Sequence, residues 1–196
     1  MNKLLPPYKI ILASKSPRRQ EILQGLDIDF EIRTKEVNED FPEDLPQNQV
    51  ARYLAEKKAA AFVDEMGDNE IIITSDTTVL INGQVLNKPK DREEAIQMLK
   101  QLSGNVHHVI SGVCMMGKNK KIAFDDLTEV HLRNLSIDEI EAYIDNYHPF
   151  DKAGSYGVQE WIGYAAVFKL IGSFYTVMGL PVHRVYEELK NWKSNY

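Results

Sequence analysis

Apolar residues recur along the chain with two different spacings, which predicts both strands and helices. Residues 8–13 and 71–73 are short runs of β-prone apolar side chains, and they indicate buried strands, the second ending at Ser75-Asp76. Residues 49–63 instead carry apolar side chains at the spacing of an amphipathic helix. Because the two patterns interleave along the chain, we expect an α/β fold with a mixed sheet flanked by helices.

Turn and cap residues predict where these elements begin and end. Asn82-Gly83 lies between two β-prone runs and predicts a two-residue hairpin. Gly25 and Gly104 are expected to end helices. Three helix starts are predicted, each from an N-cap residue and the residue that supports it: Ser16 with Pro17, Asp91 with Glu94, and Ser136 with Glu139.

The second half of the chain contains the longest predicted strands. Residues 106–116 and 122–133 have the composition of two long strands joined by a turn. Residues 164–171 are also strand-like, and Pro181 begins a terminal amphipathic helix. This order of elements gives no sign of an internal repeat.

The composition suits one domain with a substantial core. The chain has 196 residues, of which 43% are apolar and 27% charged, without a long run of one charge sign. No low-complexity tract or linker divides it, so we expect a single domain over residues 1–196. Two lobes around a groove are compatible with this pattern.

The charge balance limits the partners. Lys and Arg total 23 and Asp and Glu total 29, which gives a formal charge of −6. A chain of this sign is a poor general binder of nucleic acid, so a polyanionic substrate must be met by a local cluster of cations.

Cys114 is the only cysteine, which excludes an intramolecular disulfide, and its apolar neighbours indicate a core thiol.

Targeting and membrane signals do not occur in the sequence. Residues 1–8 lack the charged and apolar regions of a signal peptide. No apolar run approaches the ~20 residues of a membrane helix. We therefore expect a cytoplasmic protein that does not bind membranes.

Several common site signatures are also absent. The sequence has no GxxxxGK[ST] phosphate loop, no GxGxxG fingerprint and no GxSxG elbow. His107 and His108 are adjacent on a predicted strand, so their side chains should face opposite ways. We interpret them, like His131, His148 and His183, as structural residues rather than metal ligands.

Polar residues near the ends of predicted elements are the remaining candidates. Ser14, Arg18 and Arg19 lie at a strand-to-helix junction, where free backbone N–H groups and guanidinium groups suit phosphate oxygens. An ordinary helix cap with solvated arginines explains the same residues. From their chemistry alone, we favour that simpler interpretation.

Two acidic residues are candidates for holding a cation. Asp76 follows a very apolar run, and the ends of strands often carry the chemistry of α/β proteins. Glu39 lies in an acidic, proline-containing loop at residues 38–47. Two carboxylates supplemented by water suit Mg²⁺. Taken alone, Glu39 is more simply a solvated loop residue.

Three further polar residues have two interpretations each. Lys58 lies on the first long helix, and Lys88 precedes the stiff Pro89. Gln159 follows a glycine-containing segment at residues 151–158, where the backbone is able to pass close to a ligand. Surface lysines and a tight turn explain these features equally well.

Short stretches of these candidates follow one another between residues 11 and 181. They are ILASKSPRR (11–19), LAEKKA (54–59), SDTTV (75–79), KP (88–89), LSG (102–104) with His107, DKAG (151–154), YGVQ (156–159) and GLP (179–181). Each stretch is weak alone. The ordered set, however, resembles the Maf family of nucleoside triphosphate pyrophosphatases, and it replaces the simpler interpretations of the named residues.

The resemblance implies an elongated α/β fold with two lobes around a deep groove, and in many members a homodimer. It implies hydrolysis of a nucleoside triphosphate to the monophosphate and pyrophosphate, with a divalent cation, Mg²⁺ or Mn²⁺, held by Asp76 and Glu39. Catalytic roles fall to four charged residues: Asp76, Glu39, Lys58 and Lys88. Asp76 would be the general base or a carboxylate that organises the metal. Substrate binding falls to five residues: Ser14, Arg18, Arg19, Thr77 and Gln159. Among these, Arg18, Thr77 and Gln159 match positions associated with the choice of nucleobase.

Details of the motifs resemble the branch that acts on dTTP and UTP. Ser-Pro-Arg-Arg at 16–19 and DKAGxYGxQ at 151–159 are similar to that branch, whereas members acting on 7-methyl-GTP carry a different residue ahead of the second arginine. Three places depart from the family's commonest residues: Thr74-Ser75, Asn87 and Glu160-Trp161. The alternatives are a non-catalytic nucleotide-binding regulator of cell division and a pyrophosphatase for other nucleotides such as 7-methyl-GTP.

Overall fold

The computed structural model describes residues 4–192. The strands are β1 (Lys9–Leu12), β2 (Glu31–Ile32), β3 (Glu70–Ile81), β4 (Gln84–Leu86), β5 (Val106–Gly117), β6 (Lys120–Leu132) and β7 (Val167–Ile171). The α-helices are α1 (Pro17–Gln24), α2 (Val50–Ala60), α3 (Arg92–Leu102), α4 (Ile137–Tyr147), α5 (Trp161–Ala165), α6 (Phe174–Met178) and α7 (Val182–Lys190). Within this range, every helix is too short or too polar to cross a bilayer.

The strands form one seven-stranded mixed sheet. Its order is β2-β1-β3-β5-β6-β7, and β4 pairs with β3 outside this path. β1 is parallel to both β2 and β3, whereas β4 is antiparallel to β3 and β7 is antiparallel to β6. The predicted α/β architecture with a mixed sheet and flanking helices is therefore confirmed.

The chain divides into two compact units. The first contains Met1–Asp76, Ser111–Asp126 and Gly179–Tyr196, and the second contains Thr77–Ile110 and Leu127–Met178. Strands β3, β5 and β6 contribute residues to both units. The expectations of a single domain over residues 1–196 and of a deep groove stay predictions.

The core of the first unit lies between its strands and α2. Ile11 of β1, Ile72 of β3 and Phe62 after α2 belong to one buried cluster, together with Cys114 of β5. Burial raises the pKa of the Cys114 thiol to about 12, so the thiol stays protonated and packs as an apolar group. The predicted core thiol is confirmed.

The second unit has its own core and two capped helices. Leu99 and Leu102 of α3 share a buried cluster with Ile140 of α4. Ser136 and Glu139 form the predicted reciprocal capping box at α4. At α3 only half of the box forms: Asp91 accepts from Glu94 N at 2.9 Å, but the Glu94 carboxylate accepts from Lys90 N instead of from the cap residue.

The predicted hairpin is confirmed, and it changes the extent of β3. Asn82 and Gly83 both adopt positive φ, 50° and 74°, and join β3 to β4. The prediction that the strand ends at Asp76 is wrong. Pairing with β1 stops where Leu12 faces Ile73, but pairing with β4 keeps the chain extended to Ile81.

One other local prediction is also wrong, and one is confirmed only in part. Residues 164–165 belong to α5 rather than to a strand, because Ala166 N bonds Ile162 O at 2.9 Å and closes a helical turn. Ser16 precedes α1 as predicted, but its side chain makes no cap hydrogen bond.

Candidate active site

Asp76 is fixed by the two residues that precede it on β3. Thr74 Oγ1 donates to Ala55 O of α2 at 2.7 Å. Ser75 Oγ lies 2.9 Å from the carbonyl oxygens of both Gly112 and Gly179. Thr74 and Ser75 are less than 2% exposed, so these bonds satisfy hydroxyls that would be costly to bury alone. The hydroxyls fasten the backbone that presents Asp76.

Lys58 links the two acidic candidates. It projects from α2, and its Nζ contacts Asp76 Oδ1 and lies 2.7 Å from Glu39 Oε1. The side chains of Lys58 and Asp76 are only 19% and 14% exposed, whereas that of Glu39 is 48% exposed. Two carboxylates therefore converge on one ammonium group, and the predicted trio Glu39, Lys58 and Asp76 is brought together.

The loop that carries Glu39 is held on both sides of this residue. Asn38 Oδ1 accepts from Asp40 N at 2.8 Å, and Asn38 Nδ2 donates to the Asp40 carboxylate at 2.7 Å. Lys57 Nζ donates to Asp40 O at 2.8 Å. Our sequence reasoning missed these three residues, although Asn-x-Asp around Glu39 is a signal for such a local turn.

Ser14 takes part in the start of α1. Its Oγ accepts from Ser16 N at 3.2 Å, and its carbonyl oxygen accepts from Gln20 Nε2 at 3.3 Å. Ser14 is 7% exposed. Ser14, rather than the predicted cap residue Ser16, therefore supplies the side-chain hydrogen bond at this strand-to-helix junction.

Arg19 approaches the acidic pair from α1. Its Nε donates to Gly179 O at 2.8 Å, the carbonyl that also lies 2.9 Å from Ser75 Oγ. Burial lowers the pKa of the Arg19 guanidinium, the Asp76 and Glu39 carboxylates act to raise it, and the neighbouring Arg18 acts to lower it. Arg19 is therefore close enough to Asp76, Glu39 and Arg18 for their charges to act on it.

Glu39 and Asp76 form a donor set that fits a divalent cation. Hard cations such as Mg²⁺ take carboxylate oxygens and complete their coordination with water and phosphate. Both carboxylates already face one cation, the Lys58 ammonium. Within residues 4–192 no group of three or more His, Cys, Asp and Glu side chains converges as a metal cage.

Thr77, Lys88 and Gln159 lie in the second unit. Thr77 is partly buried and follows Asp76 directly on β3. Lys88 is exposed between β4 and α3, and Gln159 is partly buried just before α5. Their contribution to the same nucleotide stays a prediction.

Comparison with known proteins identifies the family. The profile of a family described as "Maf-like protein" matches residues 9–192. A protein of Parabacteroides distasonis named dTTP/UTP pyrophosphatase is 49% identical over 189 residues, which are 96% of this chain and 98% of that one. A protein of the same name from Porphyromonas gingivalis is 50% identical over 191 residues, 96% of each chain.

A solved structure, that of the Staphylococcus aureus Ham1 protein, is a more distant match. It is 16% identical with a TM-score of 0.48, and the match covers 63% of this chain and 71% of that one. The family match and the two close relatives instead span nearly the whole chain. This protein therefore belongs to the Maf family.

Proposed function

We propose that this protein hydrolyses nucleoside triphosphates, with a preference for dTTP and UTP, to the monophosphate and pyrophosphate. Family membership and the names of relatives that are about half identical over nearly the whole chain support the reaction and the substrates. The observation that carries the proposal is the convergence of Glu39 and Asp76 on Lys58, with Arg19 beside them.

The charges of this cluster suit a triphosphate tail. The whole chain carries −6, so its overall field repels a nucleotide. Arg18, Arg19 and Lys58 place three cations in one region, and guanidinium groups bind phosphate oxygens in a bidentate manner. Ser14 at the start of α1 would add a hydroxyl, and Lys88 a further ammonium.

Glu39 and Asp76 would hold Mg²⁺ or Mn²⁺, as their oxygen donors fit such an ion. When bound there, a divalent cation would supply Lewis-acid charge to the phosphate oxygens. In the structure, Lys58 forms ion pairs with both carboxylates. With the cation bound there instead, its ammonium group would turn toward the substrate.

Asp76 is the base in this proposal. A water oxygen attacks the α-phosphorus, its proton passes to the Asp76 carboxylate, and the bond between the α-phosphorus and the bridging oxygen breaks. Pyrophosphate leaves with the bridging oxygen, and the cations of Arg18, Arg19 and Lys58 offset its charge. Thr77 and Gln159 would contact the nucleobase of the substrate.

A nucleotide panel tests the function. Pyrophosphate release from dTTP, UTP, CTP and 7-methyl-GTP should be measured with Mg²⁺, with Mn²⁺ and with a chelator. We expect dTTP and UTP to give the highest kcat/KM and the chelator to abolish release. Binding of nucleotides without any release would contradict the proposal and favour the non-catalytic regulator. The cytoplasmic location and the homodimer stay predictions.

A further inference from the structure

A buried ionic network of Lys152, Glu160 and Tyr143 lies in the second unit. None of these three residues has a role in the chemistry proposed above. The side chain of Lys152 is only 9% exposed, and its Nζ lies 2.8 Å from Asp151 Oδ1 and 3.1 Å from Glu160 Oε1. An ammonium group is costly to bury unless it is paired. Lys152 therefore restrains the carboxylate of Glu160, which is itself 17% exposed.

Tyr143 of α4 holds the other oxygen of this carboxylate. Its hydroxyl donates to Glu160 Oε2 and accepts from Gly157 N at 3.0 Å. Burial, followed by the hydrogen bond to Glu160, raises the pKa of Tyr143, so the phenol remains a donor at neutral pH. The network thus connects Lys152, through Glu160 and Tyr143, to the backbone of Gly157.

Gln159 meets the same carboxylate and folds back over Gly157. Its Nε2 lies 3.4 Å from Glu160 Oε1. A Cβ atom at position 157 would lie 2.8 Å from Gln159 Nε2 and 2.9 Å from Glu160 Cδ, so glycine leaves the room that both side chains occupy. Since an ionised carboxylate only accepts hydrogen bonds, Glu160 pairs with the amide nitrogen of Gln159 and not with its oxygen.

This orientation leaves the amide oxygen of Gln159 as an acceptor. Gln159 Oε1 is buried and has no hydrogen-bond donor among residues 4–192. A buried acceptor of this kind favours a ligand that donates to it. Uracil and thymine carry an N3–H donor between two carbonyl groups, whereas N3 of cytosine is an acceptor.

We propose that Glu160 is a positioning residue that sets the choice of base through Gln159. Held by Lys152 and Tyr143, its carboxylate fixes the amide nitrogen of Gln159 and so presents the amide oxygen to the N3–H of uracil or thymine. The proposal rests on the proposed function, because it requires that Gln159 meets the base.

The test compares kcat/KM for UTP, dTTP and CTP in wild-type protein and in Glu160→Gln. A neutral amide at position 160 both donates and accepts, so Gln159 gains the freedom to turn its nitrogen toward the base. We expect the ratio of kcat/KM for UTP to that for CTP to fall by about tenfold or more, a size typical for a mismatched polar contact. A purely structural role would lower both values together and leave the ratio unchanged.

Glu139→Gln is the matched control. Glu139 belongs to the same unit and pairs with Arg133 at 2.8 Å, so its substitution also removes an ion pair, but outside the network. We expect it to leave the UTP-to-CTP ratio unchanged. Tyr143→Phe removes only the hydroxyl that restrains Glu160, and it should lower the ratio in the same direction by a smaller factor. It carries the test if Glu160→Gln does not fold.

The outcomes separate the two proposals. If the wild-type protein releases no pyrophosphate from UTP or dTTP, the proposed function fails and the inference fails with it. If the wild-type protein is active and prefers UTP to CTP, but folded Glu160→Gln, or Tyr143→Phe in its place, keeps the wild-type ratio, the inference alone is overturned.

Discussion

At the scale of single residues, Gly179 is the point at which several parts of the site meet. Its carbonyl oxygen accepts from Arg19 Nε at 2.8 Å and lies 2.9 Å from Ser75 Oγ. Its φ is 112°, a conformation that L side chains rarely adopt. One backbone position therefore orients both the arginine and the strand residue next to Asp76.

Gly179→Ala should damage both stability and activity. We expect the free energy of unfolding to fall by about 1–3 kcal/mol, because alanine is strained at this φ. We expect kcat/KM for dTTP to fall as well, because the Gly179 carbonyl oxygen that accepts hydrogen bonds from Arg19 and Ser75 would shift. Urea unfolding and steady-state kinetics measure the two effects.

Gly25→Ala is the control for this prediction. Gly25 has an ordinary φ of −62° at the end of α1, so the same substitution should change the free energy of unfolding by less than about 1 kcal/mol. Equal losses in the two variants would contradict the role assigned to Gly179.

At the scale of elements, a side-chain link reinforces the short edge of the sheet. β2 contains only two residues, and Arg33 follows it directly. Arg33 donates to both carboxylate oxygens of Glu70, at 3.0 and 2.8 Å, and Glu70 begins β3. Hydrogen bonds from Arg33, and then from Gly67 N, lower the pKa of Glu70 to about 2.

This pair predicts a pH-dependent contribution to stability. A carboxyl group whose pKa is lower in the folded protein stabilises it above the pKa of the unfolded chain, near 4.5, and loses that effect as the pH falls toward 2. Wild-type protein should therefore exceed Glu70→Gln in free energy of unfolding by about 1–2 kcal/mol at neutral pH, allowing for solvent screening.

Denaturant unfolding from pH 7 down to pH 2 checks this prediction. The difference between the two proteins should stay constant above about pH 4.5 and shrink below it. A difference that does not change across this range would show that the Arg33–Glu70 pair does not act through ionisation.

The elements also show how far the sequence could predict the fold. Local signals with a defined mechanism were reliable: Asn82-Gly83 forms the hairpin and Ser136 with Glu139 forms the capping box. The end of β3 was misassigned, because the apolar run before Asp76 and the first strand of the hairpin are separate patterns in the sequence, whereas β3 exchanges β1 for β4 as its partner and stays continuous to Ile81. Residues 164–165 were misassigned because a short helix carries too few positions to show its period.

The candidate site, like the fold, could be predicted from the sequence only in part. The resemblance named Glu39, Lys58 and Asp76, and the structure brings these three side chains together. The restraints around them could not be predicted, because they are side-chain bonds to backbone atoms far away in sequence, such as Ser75 to Gly112. The contacts of Glu160 with Lys152 and Tyr143 could not be predicted either, because they join side chains from different segments.

At the scale of the whole molecule, function depends on a local charge arrangement that opposes the global one. The chain carries −6, yet Lys58 contacts two carboxylates whose charges also act on Arg19. Family membership over residues 9–192 gives this arrangement its chemical interpretation. We therefore propose that Asp76 acts in the reaction itself and is not only a partner for Lys58.

Pyrophosphate release by Asp76→Asn, with dTTP and UTP as substrates, tests that claim most directly. Asp68→Asn is the control, because Asp68 is 81% exposed and pairs with Lys118 elsewhere in the first unit. We predict that Asp76→Asn folds and loses more than about a hundredfold in kcat, or roughly 3–5 kcal/mol of barrier, while Asp68→Asn keeps wild-type kcat. Full kcat in folded Asp76→Asn would show that this carboxylate does not take part in the reaction.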